Sequence, residues 1–364
     1  MKRNEIRLFN QLCRFNAESF DESLLEYASP NVLGHLFFNR MQAIAYGVLK
    51  KHGLLSKVNR EFRTSIKCAY SQNIEKNNSY FKCLNYINEL LSDCKSEYAM
   101  LKGAALCRLY PLGYRTSNDI DILITPDSIS KIARKLLISG FQQGHIHNDE
   151  FTPATRKEVI ESKMMRGETV PYIKEVNLPG MRYLEIDINF SLDYKNSDDD
   201  VIPKMLKNSI DTELEGVKIK TLDILDFFIH LCGHLYKEAT TLPWIEMKRD
   251  MTLYKYCDIY MLLANMDEDL KEKLFERAVH LRMEKICAFA ILQTIELFEM
   301  DEPFAMQLSL DALEGNCDFI HQVIAPSQKK VLIYKEKNIL KRFFTDNRKS
   351  LLEETDSEKI ENAF

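Results

Sequence analysis

Met100-Leu-Lys-Gly-Ala-Ala-Leu-Cys-Arg-Leu-Tyr-Pro-Leu-Gly-Tyr-Arg-Thr-Ser-Asn-Asp-Ile-Asp-Ile-Leu-Ile124 decides how the chain is read. A glycine closes a short apolar strand, a helix-length spacer follows, and an Asp-x-Asp pair opens a second apolar strand. Alternate side chains of a strand share a face. Asp119 and Asp121 therefore point one way, while Ile120, Ile122 and Ile124 point into the protein. Two carboxylates side by side repel unless a cation sits between them. Hard oxygen donors of this kind suit Mg²⁺ or Mn²⁺ in partnership with substrate phosphates. The plain alternative is an exposed acidic strand start beside an ordinary glycine turn.

A second strand has the same pattern. In Arg182-Tyr-Leu-Glu-Ile-Asp-Ile-Asn-Phe190, alternation buries Leu184, Ile186, Ile188 and Phe190. It sets Glu185, Asp187 and Asn189 on the opposite face, where three polar groups in register call for a cation, a ligand or water. Between the two strands, Pro126-Asp127 opens a helix that ends at Gly140, as proline in the first turn and glycine past the last one suggest. Phe141–His147 is a further expected strand. Thr169–Val176 and Arg182–Leu192 are expected as strands joined at Asn177-Leu-Pro-Gly180.

Leu101-Lys-Gly-Ala-Ala-Leu106, Tyr110-Pro111 and Arg115-x-x-x-Asp-Ile-Asp-Ile-Leu resemble the bacterial "uncharacterised nucleotidyltransferase" family. That family lies within the polymerase-beta-like nucleotidyltransferase superfamily. The resemblance extends from about residue 30 to about residue 265 and is strongest at 100–124. Ala104 stands where the wider superfamily has a second Gly or a Ser. The resemblance implies a mixed-sheet α/β (α+β) core flanked by helical regions. It implies Mg²⁺-dependent transfer of a nucleoside monophosphate from a nucleoside triphosphate to a small-molecule or protein hydroxyl, with release of pyrophosphate.

Asp119 and Asp121 then bind metal and act in catalysis. The third carboxylate falls on Asp187 by the family's frame of carboxylate, apolar, His, aromatic, with Asn189 in place of the His and Glu185 as the alternative. Gly103 and Ala104 lie where backbone amides approach phosphates. Lys102 and Arg115 are the nearest cations in sequence and are candidate phosphate contacts. His230 and His234, spaced i,i+4 on one helix face, are implied to line the cleft, although the Glu of a His-Glu-x-x-His zinc motif is absent. Lys255 is a further triphosphate candidate, with an intrahelical pair to Asp258 as the alternative. Two rival functions stay open: a phosphotransferase on the same core, and a non-catalytic regulatory or toxin–antitoxin-type interaction protein.

The rest of the chain bounds these readings. Its 364 residues allow two or three domains. A net charge of −5 does not suit a general nucleic-acid binder. Nine scattered cysteines without a C-x-x-C suggest reduced thiols and a cytoplasmic setting. No signal-type or membrane-spanning run is expected. The expected organisation is a helical region at 1–96, the nucleotidyltransferase core at 97–200, a helical domain at 201–350 and a flexible tail at 351–364. Within it, Asn31–Lys51 and 57–94 carry helical apolar stripes. Asp198-Asp-Asp200 marks a polar loop, and Lys329–Phe344 is expected as a basic amphipathic helix, a solvated basic face on a packed helix or one meeting a membrane or an acidic partner.

Overall fold

The structure is a computed structural model, and it describes residues 1–94, 98–165, 167–192 and 201–355. The Asp198–Asp200 loop and most of the expected tail lie outside the described residues. The chain divides into two compact units. One spans residues 68–230; the other joins residues 1–67 to the described residues from 231 onward.

The 68–230 unit is built on one mixed sheet. Its strands are β1 (Tyr98–Met100), β2 (Asp119–Ile124), β3 (Gln142–His147), β4 (Glu150–Pro153), β5 (Tyr172–Leu178), β6 (Met181–Asn189), β7 (Ile210–Leu214) and β8 (Val217–Thr221). They lie in the order β4-β3-β5-β6-β2-β1-β8-β7. The central pair, β2 and β6, is parallel, and β1 flanks β2 antiparallel with Met100 opposite Ile122. The apolar alternation of the two central strands holds: Ile120, Ile122, Ile124, Leu184, Ile186 and Ile188 are fully buried. They form one core with Tyr80, Leu84, Ile87 and Leu91 of the helix Arg60–Leu91 and with Ile132 and Leu136 of the helix Ile129–Ile138. Burying one face in this way leaves the polar side chains of β2 and β6 on the other. Leu137, next to Leu136 on the same helix, is exposed.

Two hairpins went unanticipated. β3 turns into β4 through Asn148-Asp149, and β7 into β8 through Glu215-Gly216, with positive φ at both residues of each turn. These are two-residue turns whose twist matches the strands. The second adds residues 210–221 to the sheet, beyond the expected core limit at 200. The turn sequence Glu-Gly is a weaker hairpin signal than Asn-Gly, because Glu does not favour positive φ. The helix-length spacer between the glycine and the Asp pair holds a single helical turn, Gly103–Leu106.

In the other unit, the expected Asn31–Lys51 segment is two helices, Pro30–Phe38 and Gln42–Lys51, separated at Arg40 with φ 57°. Further helices include Arg3–Cys13, Leu253–Leu263, Glu268–His280 and Glu284–Phe298. A small antiparallel sheet also lies here: β9 (Gln322–Ala325), β10 (Lys330–Tyr334) and β11 (Leu352–Glu354), with β10 central. The basic helix expected over Lys329–Phe344 is therefore corrected to a strand followed by the short helix Ile339–Phe343. Val331-Leu-Ile-Tyr334 is an apolar run rich in β-branched and aromatic residues, and its Leu332 and Tyr334 pack with Leu242, Ile245, Val323 and Ala325. Among the described residues, no helix is long and apolar enough to cross a membrane.

Candidate active site

Parallel pairing of β2 with β6 sets Asp119 opposite Glu185 and Asp121 opposite Asp187. Side chains at paired positions share a face, so four carboxylates crowd one face of two adjacent strands. Asp121 is almost wholly buried, and Asp119, Glu185 and Asp187 are partly buried. Asn189 is buried beyond them, its amide 3.5 Å from the Asp187 carbonyl.

The electrostatics follow from this crowding. Burial, and then the charges of Asp121 and Asp119, push the Asp187 carboxyl well above the usual carboxylate range, with Lys102 offsetting part of the effect. Burial and Asp119 raise Glu185 in the same direction. Asp119 goes the other way. Burial raises it, but the Ser117 hydroxyl bond and the charges of Lys102 and Arg115 outweigh that, and its carboxyl lies below the ordinary value. One strand face thus holds acids pushed apart in proton affinity, a pattern found where groups do chemistry.

Each member of the Asp pair has its own donor. Ser117 Oγ donates to Asp119 Oδ1 at 2.7 Å, and Lys102 Nζ donates to Asp121 Oδ1 at 2.7 Å. Among the described residues, no three His, Cys, Asp or Glu side chains close up into a group that could hold a metal ion. The oxygen-only donor set nevertheless suits a hard divalent cation. An ammonium beside Asp121 meets part of the charge such an ion would balance.

Lys102 is held unusually. Its backbone adopts φ 44°, ψ −118°, a region that L-residues avoid at a cost of about 1–3 kcal/mol. Leu101 N–H donates to the Asp121 carbonyl at 2.9 Å, which delivers Lys102 from the end of β1 to the Asp pair. Gly103 is constrained by packing. A Cβ there would meet Ser117 Oγ at 2.4 Å and Ser117 Cβ at 2.5 Å. This glycine makes room for the residue that holds Asp119. The Ala104 and Ala105 amides donate to the Leu101 and Lys102 carbonyls. They are spent inside the turn, contrary to the expectation that amides here face phosphates. Arg115 is partly buried, its guanidinium donates to the Thr116 carbonyl, and its charge acts on Asp119.

Residues 107–119 are fastened by a row that sequence reasoning missed. Asn73 donates to the Gly113 carbonyl at 2.9 Å. Buried Asn77 donates to the Arg115 carbonyl at 2.9 Å and accepts from Gly113 N–H at 3.1 Å. Tyr80 Oη donates to the Asp119 carbonyl at 2.9 Å. Positions 73, 77 and 80 lie at helical i, i+4, i+7 spacing. Two asparagines on an apolar stripe were the available signal.

The remaining expected site residues lie on other elements. His230 is buried within the helix Ile224–Thr240. Further along that helix, in the unit that continues from residue 231, His234 Nε2 stands 3.6 Å from Glu238 Oε1. Lys255 donates to Glu238 Oε2, with its ammonium 5.7 Å from the Trp244 ring centre. Lys255 thus pairs with a carboxylate of another helix.

No curated protein matches the chain. Among solved structures, an antigenic nucleotidyltransferase-like protein from Paracoccidioides brasiliensis aligns with 16% identity and a TM-score of 0.31, covering 55% of this chain and 87% of that one. The family model described as "uncharacterised nucleotidyltransferase" matches residues 31–299. That span takes in the Gly103 turn, both carboxylate strands and the helices carrying His230, His234 and Lys255, and with more than half of its length matched the chain belongs to this nucleotidyltransferase family.

Proposed function

We propose that the protein transfers a nucleoside monophosphate from a nucleoside triphosphate to a hydroxyl of a small molecule or protein, releasing pyrophosphate. The observation that carries this reading is the parallel register placing Asp119 and Asp121 beside Glu185 and Asp187. Asp119 and Asp121, with Asp187, would hold Mg²⁺ or Mn²⁺. A bound divalent ion would neutralise phosphate charge and stabilise entering and leaving oxygens. Asp187, its carboxyl raised by burial and by two neighbouring acids, is suited to accept the proton of the attacking hydroxyl. Asp119, kept low by Ser117, stays ionised as a ligand. Lys102 and Arg115 supply positive charge on the triphosphate side, and Ser117 and Tyr80 fix the Asp pair in place. By family resemblance alone, Lys255 is assigned to the nucleotide and His230 and His234 to the lining of the cleft.

The test is incubation of the full chain with Mg²⁺, each labelled nucleoside triphosphate in turn, and lysate or candidate acceptors. Pyrophosphate release with a labelled product is expected, and Asp119→Ala or Asp121→Ala should abolish both. Equal turnover in the Asp119→Ala/Asp121→Ala double variant would refute the reading. Transfer of the terminal phosphate without pyrophosphate release would instead identify a phosphotransferase.

A further inference from the structure

We propose that Lys102 is a resident counter-ion: its ammonium holds the cation position at Asp121 in the metal-free protein and passes to the triphosphate when a divalent cation displaces it. This rests on the nucleotidyltransferase reading of the carboxylate face and adds a role that the family motif does not assign.

The carboxylate face is too crowded to stand alone. Asp121 is 2% exposed and sits in register with Asp187. A buried carboxylate beside another needs a positive partner, and Lys102 Nζ supplies it at 2.7 Å. The pair is also movable. The Lys102 side chain keeps 18% of its surface exposed against 3% for Asp121, so the ammonium has a way out while the carboxylate does not. The backbone need not follow, because Leu101 N–H stays bonded to the Asp121 carbonyl and the Ala105 and Leu106 amides stay bonded to the Lys102 carbonyl. Four methylenes are the only part that must swing. The backbone itself sits in a glycine-like region at φ 44°, ψ −118°. A glycine would adopt that conformation without strain, so the lysine there keeps its side chain for its charge.

A purely structural lysine and a resident counter-ion predict opposite signs. If Lys102 only positions Asp121, removing it weakens metal binding. If it competes for Asp121, removing it strengthens binding of metal alone and weakens binding of triphosphate. Calorimetric titration of the full chain with Mn²⁺ alone should show Lys102→Met binding about tenfold tighter than the parent, the scale of a charge-assisted bond no longer broken. The Mn²⁺-induced rise in thermal midpoint should likewise be larger in the variant. With Mg²⁺ and inorganic triphosphate as ligand, Lys102→Met should bind about tenfold more weakly. Should Lys102→Met fail to fold, Lys102→Gly, which suits the φ at this position, carries the same comparison. Equal or weaker Mn²⁺ binding in the variant, against a parent whose binding Asp121→Asn abolishes, would overturn the proposal and leave the metal site standing. Absence of Mn²⁺ binding in parent and variants alike would overturn the metal site, and the proposal with it.

Discussion

Asp187 carries a cost that a pH series can expose. Its carboxyl lies above the usual range because it is buried and faces Asp121 and Asp119. An acid with a raised folded pKa holds its proton more firmly folded than unfolded. Its stabilising contribution is complete below the ordinary value of 3.8 and is lost as pH rises through the raised one. With EDTA present, Asp187→Asn should raise the thermal midpoint over the parent at about pH 8, and the gain should shrink towards about pH 4. A gain independent of pH would mean that charge at this position is not what destabilises the fold. Gly103 supplies a second test. Gly103→Ala should cost about 1–3 kcal/mol in urea unfolding, because the new methyl lands on Ser117. Adding Ser117→Gly should recover most of that loss, and failure to recover it would place the strain elsewhere. At this scale much was legible. Alternation alone put the Asp pair and Glu185, Asp187 and Asn189 on the faces opposite the apolar core. The reason for Gly103 was not legible, since its partner lies fourteen positions on and only the folded turn brings the two together.

Elements show where periodicity suffices and where it fails. The stripe over 57–94 was readable as helical, as one long helix or a broken pair, and it is the single helix Arg60–Leu91. The hairpin β5–β6 was readable from Pro179-Gly180. β7, β8 and the three short strands of the second sheet were not, because runs of three to five residues give too few alternations to stand out. The helix also does more than pack. Its row of Asn73, Asn77 and Tyr80 fastens the segment leading into β2. Asn77→Ala would remove the bonds that Asn77 makes to the Gly113 N–H and to the Arg115 carbonyl, the latter also accepting from the Cys107 thiol at 3.7 Å. The expected cost is about 2–3 kcal/mol, with faster hydrogen exchange at the Gly113 amide. Tyr80→Phe should cost about 1 kcal/mol. If Gly113 exchanged as slowly in Asn77→Ala as in the parent, the segment would be held by other means.

Connectivity is the level least visible in the sequence. One unit is continuous, residues 68–230, while the other is assembled from both ends of the described chain. No composition shift announces such an arrangement, because it depends on contacts such as that of Leu253 N–H with Asn39 Oδ1, 214 positions apart. A division at 97 and 201 follows the motif; the contacts divide the chain at 68 and 231. The discontinuous unit contains a buried ion pair whose members are far apart in sequence. Arg348 binds Asp250 through two bonds, Nε to Oδ2 at 2.7 Å and Nη2 to Oδ1 at 2.6 Å. Asp250 is wholly buried, and its charge raises the nearby Tyr256 and Tyr334 hydroxyls beyond what burial alone does. Removing one partner of such a pair costs about 3–5 kcal/mol, because the other charge is left in a low-dielectric interior. Replacing both with apolar groups costs far less. Arg348→Met should therefore lower stability by about that amount in denaturant unfolding, and Arg348→Met/Asp250→Leu should restore more than half of it. Restoration would mean that the chain's last described turns hold this unit through a balanced charge. If the double variant were no more stable than Arg348→Met, the guanidinium would be acting through its packing and its bond to the Thr345 carbonyl rather than through neutralising Asp250.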